Sequence, residues 1–562
     1  MTDCISRVAQ VLNKQALLLS KKEELVPYIR GTEGFINKGS EGIVAVVKPY
    51  NSEDVESLLK LANELSSTPK LRFTINPIST GLNWGYGTSQ PPVCNSSVII
   101  LDLSSLTSIV EFTSDLGLIT VEPGVTQKHL SEFLISQGDE FMVPVTGAGP
   151  SCSIIGNAIE RGYGITPNTD HFGAVTAIEG YWANGLKYTS AINELDQSQV
   201  KTVDKTYKWG LGPYLDGLFT QSNFGVVTKM TIRLAKKPKK FVSFIIQVPK
   251  DSVMEDAIYL IQKVLSDYQG IVGSINLMDK RRLLSMLADN PSPGEHRVMS
   301  DDLVTSLSDS LEIHSWTIMG SIYGTMGVAK IVKKEIKQIF NQLKCHQIYS
   351  DSLIFTMANI AIKWVPKFLF KHISQLSIAK KQLASFERGK EIMLGRPNKM
   401  ALKLAYWRHK DAKVIKQADF SPAKDGCGLL WYAPLITMNP AIMRAYVEFI
   451  RKTCPKYNIE PLITFTNLTY DCVDSTIPII FDLSNPQAVE DAHNCLKDLV
   501  LNGLKLGFVP YRLNVDQQQW LLDANSPFWQ TTNKIKSAID PNRILSIGRY
   551  NPQQSKRLAK GI

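Results

Sequence analysis

Apolar residues follow two different periods along the first third of the chain. In NSEDVESLLKLANELSS (51–67) they recur every three to four positions behind an Asn/Ser cap, which predicts an amphipathic helix. LRFTI (71–75), SSVIILDL (96–103) and LGLITVEPGV (116–125) are short β-branched runs that Gly or Pro interrupts, which predicts strands. This part of the chain therefore predicts alternating helices and strands.

The alternation continues up to a charged segment. QKHLSEFLISQG (127–138) predicts a short helix that a glycine ends, and AVTAIEGYWANGLKYT (174–189) predicts a hairpin that turns at Asn184-Gly185. After the strand VVTKMTIRL, the charged, proline-containing run LAKKPKKF (Leu234–Phe241) indicates a boundary. We therefore expect a first domain over residues 1–240.

The pattern after residue 240 predicts a second domain of a different kind. FVSFIIQV predicts a strand, and DSVMEDAIYLIQKVLSD (251–267) predicts a helix with one apolar face. A similar unit recurs later, where NPAIMRAYVEFIRKTC and NPQAVEDAHNCLKDLV predict helices around the strands PLITFTNL and TIPIIFDLS. We expect an α+β domain over residues 241–504, with an antiparallel sheet flanked by helices. The last stretch, 505–562, is expected to pack back on the first domain.

Composition and charge narrow the class of protein. The 562 residues allow two or more domains, and 44% hydrophobic with 20% charged residues is typical of a soluble globular protein. The net charge of +10 suits an anionic ligand such as a flavin diphosphate, but no clustered basic stripe favours nucleic-acid binding. The eight cysteines have no C-x-x-C or metal-ligand spacing, which predicts reduced thiols and no metal site. Neither a signal peptide nor a membrane-spanning run is recognisable, so we expect a cytoplasmic enzyme.

A glycine-rich loop raises the first question of function. NPISTGLNWGYGTSQPP (76–92) follows a predicted strand and contains Gly81, Gly85 and Gly87. Small residues allow backbone amides to approach a diphosphate closely. The same composition also suits a plain connection, and the loop alone favours neither interpretation.

Several further motifs occur in a characteristic order. They are P-x-S-x-G-x-N-x-G-Y-G at 77–87, VEPGVT at 121–126, IGNAIERGYGITPNTDH at 155–171, GPYLDGLFTQSNFGVVTKM at 212–230, YR at 511–512 and DPNRIL…GR at 540–549. With them the chain resembles the vanillyl-alcohol oxidase and p-cresol methylhydroxylase family, whose FAD-dependent members act on para-substituted phenols. The resemblance implies a two-part α+β FAD-binding domain of the PCMH type, which holds an extended flavin, and an α+β cap over the isoalloxazine ring.

The resemblance also implies which residues hold FAD. The opening loop would cradle the pyrophosphate, and other backbone segments would line the rest of the cofactor. The implied set is Ile78, Ser79, Thr80, Gly81, Leu82, Asn83, Gly85, Gly87, Gly124, Gly156, Asn157, Val226, Val227 and Arg549.

Three residues are implied to bind the phenolic oxygen of the substrate. In the family, the tyrosine of the loop (here Tyr86) and the YR pair (here Tyr511 and Arg512) converge on this oxygen. Hydride removal from a benzylic carbon is far easier from a phenolate, because the product is then a neutral quinone methide. A guanidinium and two hydroxyl donors stabilise the phenolate and lower the phenol pKa from about 10.

Two neighbouring residues have open roles. Asp170 falls at the family position near the reactive nitrogen of the flavin, where a carboxylate can stabilise charge or activate water. The Asn-Thr-Asp run is also typical of a turn or helix cap. His171 is as compatible with a structural hydrogen bond as with catalysis.

The sequence departs from the family in the predicted cap. Many relatives carry a His-His pair where this chain has Val473, Asp474 and Ser475, which predicts a substrate of another size or with another para substituent. Phe465, Trp431 and Tyr432 are candidate cavity walls, although core packing is the more common role of a buried aromatic residue.

A covalent flavin tether is not expected. At the position of the tethering histidine in relatives this chain has Leu429, which has no nucleophilic atom. The upstream segment AYWRHKDAKVIKQADF offers Tyr406 and His409 as alternatives, both in a helix-like, charged context. We therefore predict non-covalent FAD.

The resemblance implies an oxidoreductase that takes a hydride from the benzylic carbon of a para-substituted phenol. The product would be hydroxylated, dehydrogenated or an aldehyde, and the electron acceptor would be oxygen or a protein. A homo-oligomer without nucleic-acid or membrane partners is expected. The alternatives are a flavoprotein acting on a non-phenolic alcohol or hydroxyacid, which would lack the tyrosine–arginine set, and a non-catalytic flavin-binding subunit.

Overall fold

The computed structural model describes most of the chain, namely residues 2–34, 41–91, 97–196, 203–353, 357, 364, 374–412, 415 and 420–552. Within these ranges, no helix combines the length and the apolar character that a membrane crossing requires.

The first sheet is built on a parallel arrangement. Its strands lie in the order Leu17–Leu19, Ile43–Lys48, Ser97–Asp102 and Phe73–Ile78; the first pairing is antiparallel and the other two are parallel. The helix Ser52–Glu64 packs on this sheet with its predicted apolar face buried. The glycine-rich loop thus follows the carboxyl end of a parallel strand, which is where such sheets bind ligands.

The second sheet is antiparallel and completes the first of the two predicted domains. Its strands lie in the order Ile109–Thr113, Leu118–Val121, Gly225–Arg233, Val175–Trp182 and Lys187–Thr189. The predicted hairpin is present between the last two of these strands, and the helices Gln127–Ser136 and Ile154–Ile159 contribute to the same core. The predicted two-part α+β FAD-binding domain is confirmed.

The third sheet is antiparallel throughout. In spatial order it contains His346–Tyr349, Lys240–Val248, Trp316–Gly324, Asn276–Asp279, Thr464–Asn467, Cys472–Ser475, Pro434–Thr437 and Val509–Pro510. Its apolar side chains share one core with those of the helices Met254–Asp267, Met326–Asn341, Pro440–Thr453 and Pro486–Lys505. The α+β fold class with an antiparallel sheet flanked by helices is confirmed.

The remaining elements connect or cover these layers. Two short antiparallel pairs join Phe141–Met142 to Ala235–Lys236 and Cys427–Tyr432 to Ile477–Asp482. The other α-helices are Thr2–Val11, Lys22–Ile29, Ala191–Leu195, Lys280–Leu287, Asp301–Ser310, Ser374–Met393, Gln518–Leu521 and Pro527–Ile539. Short 3-10 turns occupy Leu65–Ser67, Leu103–Ser105, Asp216–Phe219, Asp251–Val253, Met400–Tyr406, Cys454–Tyr457 and Val515–Gln517.

The C-terminal stretch contacts both parts of the molecule. Val509–Pro510 forms the edge of the third sheet, whereas Ile544 and Leu545 are fully buried in the core of the first. The amide of Ile75 donates to the carbonyl oxygen of Ile544 at 2.8 Å, which extends the first sheet onto this return. The domain limits at 240/241 and 504/505 stay predictions.

A buried ion pair fixes this return. Lys536 and Asp540 lie 2.5 Å apart and are both fully buried. The carboxylate of Asp540 also accepts hydrogen bonds from the amides of Ile544 (2.9 Å) and Leu545 (3.1 Å), and Lys536 donates to the carbonyl oxygen of Asn223. The pair therefore joins the last helix to the turn that enters the first sheet.

Replacing Lys536 by Met should destabilise the protein by about 3–5 kcal/mol, because the Asp540 carboxylate would stay buried without its partner. The midpoint of urea-induced unfolding measures this effect. Lys534→Met, at an exposed position of the same helix, is the matched control and should change stability by less than about 0.5 kcal/mol. Equal midpoints for the two variants would show that the ion pair does not stabilise the return.

Candidate active site

A cavity of about 350 Å³ lies where the three parts of the chain meet. Residues from segments 77–89 and 146–163 form the wall on the FAD-binding side, residues from 401–405 and 429–431 contribute from the cap side, and residues from 511–549 close the cavity. Segments far apart in sequence therefore form one site.

Most of the predicted pyrophosphate loop lines this cavity. The strand Phe73–Ile78 ends at its rim, and the helix Ile154–Ile159 approaches it from the other side, with Ser153 donating its amide to Thr80 Oγ1 at 3.2 Å. The predicted cofactor residues found in the wall are Ile78, Ser79, Thr80, Gly81, Leu82, Asn83, Gly156, Asn157 and Arg549.

Gly85 and Gly87 do not line the cavity, because their amides are bound elsewhere. Both donate to Oε1 of Glu33, at 2.8 and 3.1 Å, and Gly85 also donates to Thr32 Oγ1 at 2.9 Å. Their φ angles of +80° and +64° are those that glycine adopts without strain. Burial raises the pKa of the Glu33 carboxyl, and the amide hydrogen bonds oppose this shift. Glu33, which carries no sequence motif, thus fixes the backbone on both sides of Tyr86.

Gly124, Val226 and Val227 also lie outside the cavity wall. Gly124 donates to the carbonyl oxygen of Leu106 at 2.7 Å, and a Cβ at this position would overlap the Ser104 backbone, so the glycine serves a close backbone contact. Val226 and Val227 alternate along their strand and point into different apolar cores. Their neighbour Gly225 lines the cavity instead.

Tyr86, Tyr511 and Arg512, which we call the tyrosine–arginine cluster, meet in the cavity wall as the resemblance implies. The Arg512 guanidinium carbon lies 5.0 Å from the ring centre of Tyr86 and 5.6 Å from that of Tyr511. Arg512 is buried, and its Nε and Nη2 have no hydrogen-bond partner among the described residues. Buried guanidinium donors are seldom unpaired, so this end of the cavity is suited to an acceptor supplied by a ligand.

Two residues that the sequence did not assign to the site complete it. Tyr163 lines the cavity, its ring centre lies 6.1 Å from that of Tyr511, and its hydroxyl donates to Oδ2 of Asp474. Asp474 lies fully buried behind Tyr163, and its Oδ1 has no partner within the described chain. The sequence predicts no strand at Cys472–Ser475, so no local signal indicated that Asp474 is buried.

The third sheet sets the position of Asp474 relative to Arg512. Asp474 and Val509 both pair with Leu435, on opposite sides of the strand Pro434–Thr437. Val509–Pro510 leads directly into Tyr511 and Arg512. Burial raises the pKa of Asp474 to about 7, while the hydrogen bond from Tyr163 and the charge of Arg512 act in the opposite direction.

The structure does not bring Asp170 into the cavity. Its side chain is exposed, and Oδ1 accepts the amide hydrogen of Gly173 at 2.9 Å, which is the geometry of a turn. The neighbouring His171 is buried and hydrogen-bonded through Nδ1 to Oδ1 of Asn157 at 2.5 Å. Burial lowers the pKa of His171 to about 3, and the charge of Arg512 acts in the same direction. His171 is therefore neutral and orients Asn157, a cavity residue.

The cavity fits an extended, polar cofactor. Glu160 and Arg549 form an ion pair in its wall, and Arg549 also donates to the carbonyl oxygen of Thr88 at 3.3 Å. Glu160 Oε2 and Arg549 Nε are buried and unpartnered among the described residues. Together with the small residues of the loop, these atoms offer hydrogen bonds to the hydroxyl and phosphate groups of FAD. Glu160 was not predicted, since in the sequence it is one charged residue at a helix end.

Tyr406 and His409, the two residues that could form a covalent bond to the flavin, lie outside the cavity wall. Leu429 lines the cavity, whereas the buried Tyr406 is hydrogen-bonded to Asp425 and stacks on Phe420 with ring centres 3.9 Å apart. His409 accepts the amide hydrogen of Asp411 through Nδ1 at 3.2 Å. Among the candidate wall aromatics, Trp431 lines the cavity, while Phe465 and Tyr432 belong to the cap core.

Comparison with known proteins supports a flavoprotein. The family described as FAD binding domain matches residues 43–185. Over 514 residues the chain is 28% identical to 1'-carboxy-chondrochloren decarboxylase of Chondromyces crocatus, covering 91% of this chain and 90% of that protein. It is 24% identical over 537 residues to the 4-cresol dehydrogenase [hydroxylating] flavoprotein subunit of Pseudomonas putida, covering 95% and 92%.

Two solved structures have the same fold over nearly the whole chain. p-Cresol methylhydroxylase with substrate bound superposes with a TM-score of 0.81 at 22% identity, covering 98% of this chain and 96% of that one. The isoeugenol complex of 4-ethylphenol oxidase from Gulosibacter chungangensis superposes with a TM-score of 0.84 at 20% identity, covering 98% and 97%. The predicted PCMH-type fold and the predicted FAD cofactor are confirmed.

Replacing Glu33 by Leu should destabilise the protein, because the buried amide of Gly87 would lose its acceptor at a cost of about 1–3 kcal/mol, while that of Gly85 would keep Thr32 Oγ1. Glu33→Gln keeps an acceptor oxygen and should cost less. The midpoint of urea-induced unfolding checks both variants, with the exposed Glu23→Leu as the matched control. If Glu33→Leu and Glu23→Leu unfolded at the same urea concentration, the Glu33 hydrogen bonds would not contribute to stability.

Acid precipitation of the purified protein tests how FAD is attached. Since Leu429 cannot form a bond and Tyr406 is held by Asp425, we expect the yellow colour to remain in the supernatant after centrifugation. A yellow pellet would mean that a tether exists. Tyr406→Phe and His409→Gln would then identify the linking residue.

Proposed function

From the premise that the chain is an FAD-dependent oxidoreductase of the PCMH-type FAD-binding family, we propose that it removes a hydride from the benzylic carbon of a para-substituted phenol. The observation that carries this proposal is the tyrosine–arginine cluster in the cavity wall, with two buried guanidinium donors that have no partner among the described residues. A phenolate oxygen is an acceptor of the required charge and size.

The side chains of the cluster are in the protonation states that phenolate binding needs. Burial raises the pKa of both Tyr86 and Tyr511 well above 10, so both remain hydroxyl donors near neutral pH. Burial opposes the charge on Arg512, but the surrounding tyrosines, Tyr511 first, leave its pKa raised. The site thus presents one fixed cation and neutral donors to the phenol oxygen, and charge-assisted hydrogen bonds favour its ionised form.

Ionisation of the phenol prepares the substrate for hydride loss. A neutral phenol would leave a benzylic cation, whereas the phenolate leaves a neutral quinone methide, whose formation separates less charge in a buried cavity. FAD, when bound, supplies the hydride acceptor. We propose that the loop 79–83, Asn157 and the Glu160–Arg549 pair hold it, and that the cluster orients the substrate against it.

The product depends on how the quinone methide reacts. Water addition gives a hydroxylated product and, after further oxidation, an aldehyde, whereas loss of a side-chain proton gives an alkene. If the side chain carries a carboxylate, the C–C bond to that group can break instead, releasing CO₂ and forming a C=C bond as the ring regains its phenolate form. The relative named as a decarboxylase, which matches along 91% of this chain, favours this last reaction as the second candidate.

The electron acceptor is proposed to be oxygen or a protein. The two alternative functions lack the support of a specific contact: a hydroxyacid or alcohol would not use the paired tyrosines, and a non-catalytic subunit would not need an unpaired buried arginine. Anaerobic addition of 4-ethylphenol or 4-cresol separates these possibilities, because only a phenol-oxidising enzyme loses its flavin absorbance. Mass analysis of the product formed from 3-(4-hydroxyphenyl)propanoate, a phenol whose side chain carries a carboxylate, then distinguishes CO₂ loss from the other outcomes.

Replacing Arg512 by Met should lower the rate of flavin reduction by 4-ethylphenol about a hundredfold to a thousandfold, since a preorganised charge donor contributes roughly 2.7–4 kcal/mol to a transition state. Arg512→Lys should recover little, because an ammonium cannot reproduce the planar fork. Stopped-flow absorbance under anaerobic conditions measures both rates. Arg297→Met, at an exposed site, is the control. Near-native reduction rates in both Arg512 variants would remove Arg512 from the substrate site.

A further inference from the structure

We infer that Tyr163 and Asp474 accept the proton that the substrate phenol loses, so that Asp474 becomes protonated as the phenolate forms. This inference rests on the proposed function and adds a proton acceptor to it. The tyrosine–arginine cluster explains why a phenolate is stable in the cavity. It does not explain where the phenolic proton goes.

The balance of buried charge gives the first argument. In the set formed by Tyr86, Tyr163, Asp474, Tyr511 and Arg512, the groups that carry a charge above pH 7 are the Arg512 cation and the Asp474 anion, and their charges cancel. A phenolate added to this set would leave one uncompensated negative charge in a buried site, which is costly. If Asp474 takes the phenolic proton, the set contains Arg512⁺, neutral Asp474 and the phenolate. Its net charge is unchanged.

Contact geometry provides a route for the proton. Tyr163 lines the cavity, whereas Asp474 lies behind it and receives the Tyr163 hydroxyl hydrogen at Oδ2. The oxygen of Tyr163 can accept a proton from the phenol while its own proton moves to Asp474. One phenolic O–H bond breaks, the Tyr163 O–H bond is exchanged, and one Asp474 O–H bond forms, so that no other reactant is needed.

The acid strength of Asp474 suits this role. Burial raises its pKa to about 7, closer to that of a phenol stabilised by Arg512 than an ordinary carboxyl would be, and matched acidities favour proton transfer. The titratable or charged groups that face Asp474 are Arg512 and Tyr511 from the C-terminal return, Tyr86 from the loop, Tyr163, Tyr446 from the helix Pro440–Thr453 and the adjacent Cys472. Burial raises the pKa of each of these tyrosines and of Cys472, so none of them competes as a base at neutral pH.

The test measures proton release when the holoenzyme binds 4-chlorophenol, which has no benzylic carbon and cannot be oxidised. At pH 8 free 4-chlorophenol is neutral and Asp474 is ionised, so proton transfer inside the site should release no proton to solvent. An indicator dye in weakly buffered solution measures the release, and ultraviolet difference absorbance shows whether the bound phenol is ionised. A bound phenolate with no released proton supports the inference. A bound phenolate with one released proton overturns it.

The same measurement separates this inference from the proposed function. If the difference spectrum showed a neutral bound phenol at every pH from 6 to 9, the phenolate site itself would be wrong, and the proton acceptor with it. The proton count on the unaltered holoenzyme does not depend on whether a variant folds.

Replacing Asp474 by Asn should change the number of protons released on phenol binding. The phenolic proton must then leave for solvent, so about one proton should be released per phenol bound. The affinity for 4-chlorophenol should rise by about tenfold per pH unit between pH 7 and 9, where wild-type affinity stays nearly constant. Asp115→Asn, an exposed control, should behave as wild type. No change in the proton count for Asp474→Asn would overturn the assignment of Asp474.

Replacing Tyr163 by Phe tests whether the phenolic proton reaches Asp474 through the Tyr163 hydroxyl. Asp474 remains, so proton release should stay near zero, but the phenolate absorbance should appear at least about tenfold more slowly in stopped-flow mixing. Tyr259→Phe, at an exposed tyrosine, is the control. An unchanged rate in Tyr163→Phe would remove Tyr163 from the proton path. If the hydrogen bond between Tyr163 and Asp474 had only a structural role, the proton count in Asp474→Asn and the rate in Tyr163→Phe would both stay unaltered.

Discussion

The buried positive charge of Arg512 is the constraint on which the rest of the site depends. A guanidinium taken out of water needs counter-charge or hydrogen-bond acceptors, yet Nε and Nη2 find none among the described residues. Asp474 lies close enough for the two charges to influence each other, and the tyrosine rings of Tyr86 and Tyr511 pack beside the guanidinium. Above pH 7 the two charges of the resting site balance, but its hydrogen bonds are incomplete. We propose that a ligand with an anionic oxygen supplies the missing acceptor.

Two buried carboxylates elsewhere hold irregular segments of the chain, one of which contains Tyr86. Glu33 binds the amides on either side of Tyr86, and Asp540 binds those of Ile544 and Leu545 in the turn that enters the first sheet. In both places an acid satisfies backbone donors that no helix or sheet would satisfy. Catalytic loops are otherwise among the least stable parts of a protein. These contacts make two irregular segments part of the rigid core.

Local patterns were enough to predict several of the regular elements. The period of residues 51–67 predicted the helix that the structure has at Ser52–Glu64, because helix formation and apolar burial are both recorded in neighbouring residues. The positions of the loop 78–83 and of the tyrosine–arginine cluster in one cavity could be anticipated only through the family resemblance, since their convergence is a property of the whole fold.

Other site residues could not be anticipated from the sequence. Asp170 and Asp474 each stand in a short polar run, and only tertiary structure shows that the first is exposed and the second fully buried. Glu33 and Glu160 resemble surface charges in sequence, because nothing local records that a loop from elsewhere needs an acceptor. Their roles depend on partners that lie far away along the chain.

The third sheet connects the strand that carries Asp474 to the strand that leads into Arg512. Leu435 pairs on one side with Asp474 and on the other with Val509, so the acid and the strand that leads into Tyr511-Arg512 are held across a single shared strand. Neighbouring strands keep a spacing of about 4.8 Å, and a register shift by one residue would turn every side chain to the opposite face. The backbone positions of Asp474 and of Val509–Pro510, which leads into Arg512, are thus set by strand pairing. The C-terminal return therefore contacts both parts of the molecule: Val509–Pro510, just before Arg512, pairs in the third sheet, and Ile544 and Leu545 pack in the core of the first sheet.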